Sequence, residues 1–368
     1  MAVIYAVADF TTGDLYEMAL PLESVECGQS IDAGEFRARL DMRRVLDLTR
    51  DDWVAQAKDF QDVLRAGTVS IIGIEDGVFL GEWWLVDVRR THTDPVITLE
   101  GREPEEYLRR LPIRTSRKSK GTDPVALARA LVQEMAAAGR TMNTAAGTGG
   151  STTGLSVPIE VQAGAVNYGD LLDDLTGNGT FEWRIESSLI TSGGVPVRVA
   201  RALQIGEPVL RTDRVDEVLE AVTPGVRPRG LLEYTEDDPV AARASEVWGF
   251  GGGSGKDQPK YVYDRPPVER MPRLGVTLQE PNAVTHAELN RAGWKALGAM
   301  HPDKRPFDLV VSLDYVEGHP RVGDVFTMIR RPSYSVPVAE QRAVRVLEWK
   351  RKPAAPGRLV TLTVRREW

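Results

Sequence analysis

Residues with chemical potential are few in this chain of 368 residues, and they stand far apart. The glycine run Gly249 to Lys256 comes nearest to a phosphate loop, but Phe250 stands where that spacing needs glycine, and Asp257 follows Lys256 in place of Ser or Thr. Loop geometry and magnesium ligand are both missing, so a mobile surface loop is expected. His286-Ala287-Glu288 matches the first half of a zinc-deaminase signature, yet Cys27 is the single cysteine and the completing pair is absent. The same count excludes an internal disulfide or a multi-cysteine metal site, and a lone thiol reads as a small buried residue. His92, His301 and His319 stand singly beside Pro or Thr in expected turns. Neither a Gly-x-Ser-x-Gly elbow nor a His-Glu-x-x-His pair occurs. The carboxylate pairs Glu105-Glu106, Asp173-Asp174 and Asp237-Asp238 would serve glycoside hydrolysis only at a suitable separation. Among 53 acidic residues such neighbours arise by chance, and on a strand they point apart. No catalytic, cofactor-binding or metal site is therefore expected.

One charge cluster stands out, from Arg109 to Lys120, with Arg114, Arg117, Lys118 and Lys120. A solvated loop is the plain expectation for such a run. Its functional alternative is a contact with an acidic neighbouring subunit, and DNA comes third. The chain as a whole carries 53 acidic against 46 basic residues, net −7, and is not built to hold nucleic acid by phosphate neutralisation. DNA sliding past such a surface meets few fixed cations. At 42% hydrophobic and 27% charged the composition is that of an ordinary globular chain, and no apolar run nears the ~20 residues of a membrane span. No stable membrane insertion is expected, and the thiol count suits synthesis in a reducing cytoplasm. Met1 to Tyr5 lacks a basic region and reads as a strand, not a leader.

The elements that carry these residues are mostly strands. Val3 to Ala8 and Leu15 to Leu20 flank the turn cluster Thr11-Thr12-Gly13-Asp14, and Glu35 to Leu46 begins with apolar and charged residues in alternation. Trp53, Ala57, Phe60 and Leu64 share a helical face behind Thr49 and Asp52 as a capping pair. Asp76-Gly77 predicts a hairpin between Val69 to Ile74 and Val78 to Val88, and Val96 to Leu99 follows. Asp123-Pro124 opens a helix that Gly139 stops. Asn143 to Gly154 reads as a flexible loop, Asn167 to Gly177 as a short helix, and Phe181 to Ile185 as a strand. Further strands are expected at Val215 to Val222, Leu231 to Tyr234 and Ser245 to Phe250, then a helix from Val284 to Met300 with Leu289, Ala292, Ala296 and Met300 along one stripe. The close is all strand: Leu309 to Leu313, Val325 to Ile329, Arg342 to Lys350 and Arg358 to Val364, with a turn at Pro353 to Gly357.

The order of these features resembles the tail-hub, or minor tail, proteins of siphophages that infect actinobacteria. The likeness rests on the Thr-Gly-Asp turn and Leu20-Pro21, on Trp53 through Gly81-Glu82-Trp83-Trp84, and on Asn167 to Trp183. Gly323-Asp324-Val325 and Arg342 to Leu347 complete it. Such hubs are similar to contractile-phage baseplate hubs, VgrG proteins and the N-terminal part of Tal proteins. The resemblance implies an α+β, mainly β chain: two antiparallel β-barrel tube domains, an inserted α/β domain and a helix-containing lateral domain. The boundaries expected are 1–111 for the first barrel, 112–204 for the insertion, 205–245 with 305–368 for the second barrel, and 246–304 for the lateral part. It further implies a homotrimer whose six barrels form a ring around the DNA ejection channel at the virion's tail tip. A distal tail protein or tail tube would lie above, tip or fibre proteins below, and a tape-measure protein in the lumen. Any peptidase or lysozyme activity would then sit on another subunit. A receptor- or carbohydrate-binding tail protein remains the alternative, and a cell-wall hydrolase a weaker one.

Overall fold

The computed structural model describes residues 3–367 other than 32, 47–51, 92–93, 140–141, 148–151, 155, 177–180, 207–208, 222–229, 237–244, 254–257, 265–273, 281–285, 301–304, 332–338 and 352–357. Thr49, Gly177, Pro302 and the Pro353 to Gly357 turn therefore lie outside the described residues.

The N-terminal part comprises β1 (Val3–Asp9), β2 (Leu15–Leu20), β3 (Leu22–Ser30), β4 (Glu35–Asp41), α1 (Trp53–Val63), β5 (Val69–Glu75), β6 (Val78–Thr91) and β7 (Asp94–Arg102). Local chemistry explains most of these limits. Asp76 and Gly77 take φ of 51° and 81°, the two left-handed positions that a two-residue hairpin turn demands. β4 ends at Asp41, short of the expected Leu46, because its carboxylate accepts the Arg43 backbone N–H at 3.0 Å and starts a 3-10 turn. Asp52 precedes α1 as expected, but its carboxylate accepts from the Gln56 side chain at 2.8 Å and not from a backbone N–H.

The middle comprises α2 (Glu105–Leu108), β8 (Arg117–Thr122), α3 (Pro124–Ala137), β9 (Val157–Val161), α4 (Tyr168–Thr176), β10 (Glu182–Ser192) and β11 (Val195–Gly206). Asp123 caps α3 by accepting from the N–H groups of Val125 and Ala126 at 3.0 and 3.1 Å, and Gly139 follows at φ +66°. α3 and α4 bury Leu127, Leu131, Met135, Leu171 and Leu172 in a core of their own with Trp84, Phe181 and Trp183. Two expectations hold only in part. The basic run is irregular through Ser116 but a strand beyond it, since β8 pairs with β9 from Arg117 against Val161 to Thr122 against Val157. The Asn143 to Gly154 stretch is not free either: Ala145 exchanges backbone hydrogen bonds with Arg201 and Leu203 of β11, both at 2.9 Å.

The last part comprises β12 (Thr212–Ala221), β13 (Gly230–Thr235), β14 (Glu246–Phe250), β15 (Lys260–Asp264), β16 (Gly275–Gln279), α5 (His286–Ala299), β17 (Pro306–Ser312), β18 (Asp324–Arg330), β19 (Glu340–Arg351) and β20 (Leu359–Arg366). β14 to β16 form a separate three-stranded sheet covered by α5; of the expected stripe Leu289 and Ala292 are buried and Ala296 and Met300 partly so, and Leu297, outside that stripe, is buried as well. β12, β13, β17, β20, β19 and β18 pair in turn, and β18 returns to β12, which closes a six-stranded barrel. It is mixed and not antiparallel as expected, because β12 runs parallel to both β13 and β18.

The N-terminal strands pair in a comparable sequence: β1, then β2 with β3, then β4, β7, β6 and β5, which returns to β1. Only Pro21 separates β2 from β3. Counted with β2 and β3 as one strand, both sets run first, second, third, sixth, fifth, fourth. β3 then pairs with β19, Trp349 opposite Gln29 and Lys350 opposite Gly28, so that one sheet of 13 strands passes through both sets.

That seam is dry and tight. Trp349 and Trp83 are fully buried; the Trp349 indole donates to Gln29 Oε1 at 3.0 Å, and the Trp83 indole donates to the Gly28 carbonyl at 2.9 Å. A Cβ on Gly28 would lie 2.4 Å from the Trp349 carbonyl oxygen, closer than atoms can approach. Gly28→Ala should therefore cost about 1–3 kcal/mol, the usual penalty of overpacking, and lower the midpoint of urea unfolding. An unchanged midpoint would show that the seam yields.

Candidate functional site at the domain junction

Side chains of high chemical interest gather where the β10–β11 hairpin meets the two strand sets. Alternation along β6 turns Trp83 toward the first core and Glu82 and Trp84 toward the insertion. Glu82 is wholly buried. It accepts from Ser70 Oγ at 2.6 Å, Ser187 Oγ at 2.7 Å and Arg201 Nε at 2.8 Å, and a second Arg201 nitrogen completes a two-point grip. Burial pushes the Glu82 carboxyl up, but Arg201 and the two hydroxyls outweigh it and hold the group below the ordinary range. Arg201 also lies over the Phe10 ring, 5.0 Å from its centre.

A second carboxylate group lies beside α2. Glu103 accepts from the N–H groups of Ser30 and Gly34 at 3.0 and 2.6 Å, and Glu105 accepts from the Ile185 N–H at 2.6 Å. Burial, with the neighbouring Glu105, pushes the Glu103 carboxyl up from its ordinary 4.5. The third tie is Arg345, 1% exposed, which donates to Glu182 at 2.6 and 3.0 Å and to the Leu210 carbonyl at 3.0 Å. It fastens the root of the hairpin to β19. Between these ties lies a cavity of about 680 Å³, walled by β6, β10, β11, residues 209–214 and residues 317–324.

The residues singled out in the sequence are scattered. Arg114 donates to the Ala138 carbonyl at the end of α3 at 3.1 Å, Arg117 pairs with Glu134, and Lys118 pairs with Glu160 at 2.6 Å. Lys120 is exposed and has no partner among the described residues. Asp173 holds Arg109 and the Trp183 indole, each at 3.0 Å, and Glu106 pairs with Arg110. His319 is buried edge-on to Trp349 at 4.3 Å; burial lowers it to about 4, and its Nδ1 faces the Pro320 carbonyl at 3.0 Å. Burial also pushes the Cys27 thiol up to about 12. His286 is exposed at the start of α5, and Gly249 packs against Leu289 and Tyr263. His92, His301, Asp237-Asp238 and Ser254 to Lys256 lie outside the described residues. The junction ties themselves went unmarked, since Glu82, Arg201 and Arg345 are single charges on strands and Glu103 stands just past the end of β7. The one signal for them was a charge at a position where the strand alternation places apolar residues.

No family model and no curated protein matches the chain. Solved structures do. A tail protein from Neisseria meningitidis MC58 superposes with a TM-score of 0.61 at 13% identity, over 99% of this chain and 96% of the other. The 43 kDa tail protein of prophage MuSo2 from Shewanella oneidensis gives 0.65 at 11% identity, over 99% and 98%. The chain has a tail-protein fold. A chain of the Francisella PdpA–VgrG complex gives 0.51 at 8% identity, over 99% of this chain and 57% of that one. Among the described residues, no helix is long and apolar enough to cross a membrane.

Two substitutions test the junction. Arg201→Met strands the Glu82 charge in the interior and should cost roughly 3–5 kcal/mol in urea unfolding; a loss under about 1 kcal/mol would show that the two hydroxyls suffice. Glu103 is more readily protonated folded than unfolded, so its stabilising contribution is complete below 4.5 and declines as pH rises above it. Glu103→Gln should flatten that part of the stability–pH curve, and an unaltered slope would place the titration elsewhere.

Proposed function

We propose that this chain is a structural, non-enzymatic hub subunit at the tail tip of a long-tailed bacteriophage, of the minor-tail type found in siphophages of actinobacteria. The observation that carries this reading is the shared strand order of the two six-strand sets, fused through β3 and β19, within a tail-protein fold. The N-terminal set then acts as a second barrel, bent at Pro21 to close on itself. Residues 1–111 and residues 205–245 with 305–368 form the two tube domains, 112–204 the inserted domain and 246–304 the lateral one. Two similar barrels per chain let three chains present six comparable faces. A homotrimer of this kind matches a sixfold tail tube or distal tail protein on one side and hands threefold symmetry to tip or fibre proteins on the other. The lumen would take a tape-measure protein and pass DNA in transit. Three copies carry three times −7, so their field does not grip DNA, and screening beyond ~10 Å leaves only lumen-facing acids to matter.

The test is mass in solution together with images of the tail tip. A ring of three copies at the tip of assembled tails is expected; a chain that stays monomeric beside its ring partner overturns the reading. Within the ring, the outward strand β8 is the proposed subunit contact. Arg114 and Arg117 are engaged internally, and the Lys118–Glu160 pair is exposed and worth little, which leaves Lys118 and Lys120 free to contribute. Replacing Lys118 and Lys120 together by Glu should weaken trimer formation at least tenfold with the isolated chain still folded, as read by sedimentation and circular dichroism. Assembly at the original affinity would remove β8 from the interface.

A further inference from the structure

The junction cavity holds donors that its structural ties do not use. Four arginines reach its wall. Three of them are neutralised nearby: Arg214 by Glu217 and Asp324 at 2.7 and 2.8 Å, Arg321 by Glu186 at 3.0 Å, and Arg211 by Asp213 at 2.8 Å. Arg184 is different. Its side chain is 12% exposed, its nearest carboxylate oxygen is on Glu103 at 3.6 Å, and its Nε is buried with no acceptor. Glu103 and Glu105 both feel its charge, but neither carboxylate accepts from its Nε.

Gln29 supplies a second donor. It is 8% exposed and lines the same cavity. The Trp349 indole N–H occupies its Oε1, which fixes which way the amide points, and its NH2 group has no acceptor among the described residues. Glu103 links the strands that carry them: one of its oxygens takes the Ser30 N–H while the other faces Arg184. A guanidinium and an amide NH2, each with an N–H that has no acceptor among the described residues, thus line the same cavity of about 680 Å³.

We propose that this cavity binds a carboxylate, gripped by Arg184 and the Gln29 amide. A planar guanidinium matches a carboxylate at two points. A dianion such as phosphate is disfavoured, because Glu186, Glu317 and Asp324 also line the wall. The volume far exceeds one carboxylate, so the group arrives on a larger body: a free organic acid, or an acidic side chain of a neighbouring chain.

The full chain is titrated calorimetrically with acetylated Gly-Glu-Gly amide, with its Gly-Gln-Gly counterpart, and with butyrate, a monoanion. Saturable binding of the Glu peptide, at least tenfold weaker for the Gln peptide and lost in Arg184→Met, is expected if the source is a protein side chain. Binding of butyrate but not of the peptide, also lost in Arg184→Met, assigns the site to a free organic acid. If Arg184→Met fails to fold, the Gln29 side-chain NH2 resonance of the unaltered chain decides, and it should shift on addition of the ligand that binds. No saturable binding of either acid at tens of millimolar, equal binding of both peptides, or binding unchanged in folded Arg184→Met overturns the proposal.

Discussion

The pairing of β3 with β19 is the constraint on which the rest of the molecule depends. It joins residues more than 300 positions apart, with Trp349 donating to Gln29 across the seam. It also merges the apolar interiors of the two strand sets into one contiguous core. Exposed edges invite unwanted pairing, and here each set uses its edge on the other. The close approach requires glycine at position 28, and the two buried tryptophans find their hydrogen-bond partners within the seam itself. A chain held this way bends little between its halves.

The middle part is attached by polar ties as well as by apolar packing, in which Phe10, Trp84 and Ile72 meet it. The Glu82–Arg201 and Glu182–Arg345 pairs, together with the Glu103 and Glu105 contacts to backbone N–H groups, are directional and largely buried. Burying charge is expensive, and such pairs contribute less to net stability than apolar contacts of similar size. They do exclude alternatives: a hairpin shifted by one residue would leave a carboxylate without donors. Apolar packing therefore holds the parts together, while the polar contacts fix the register at which the middle part sits.

Much of the fold was legible in local chemistry. Asp76-Gly77, Asp123-Pro124 and the alternation in Glu35 to Asp41 each act over a few residues, and the structure places hairpin, helix start and strand where they indicate. What remained hidden depends on distant partners. Arg117 to Thr122 carries the composition of a solvated loop and becomes a strand because Val157 to Val161 lies beside it. Asn143 to Gly154 carries the composition of a flexible loop, yet Ala145 within it is bonded to β11. The direction of β12, parallel to both neighbours, follows from how the chain returns after the insertion and leaves no trace in composition. The junction ties were invisible for the same reason: a charge on a strand reveals burial only when its partner, 119 positions away for Glu82 and Arg201, is known.

Glu82, Trp83 and Trp84 stand side by side in the chain, yet they serve separate interiors. Trp83 stacks on Phe36 within the core shared by the strand sets, while Trp84 stacks on Phe10 in the core of the insertion and Glu82 takes Arg201. A pleated strand divides its positions into two independent faces, so outward-facing residues can vary without touching inward-facing ones. The lineage of such a chain can accordingly reshape the packing of its middle part through alternate positions of one strand and keep the core shared by the strand sets unaltered. Diversity on one face and constancy on the other follow from a spacing of one residue.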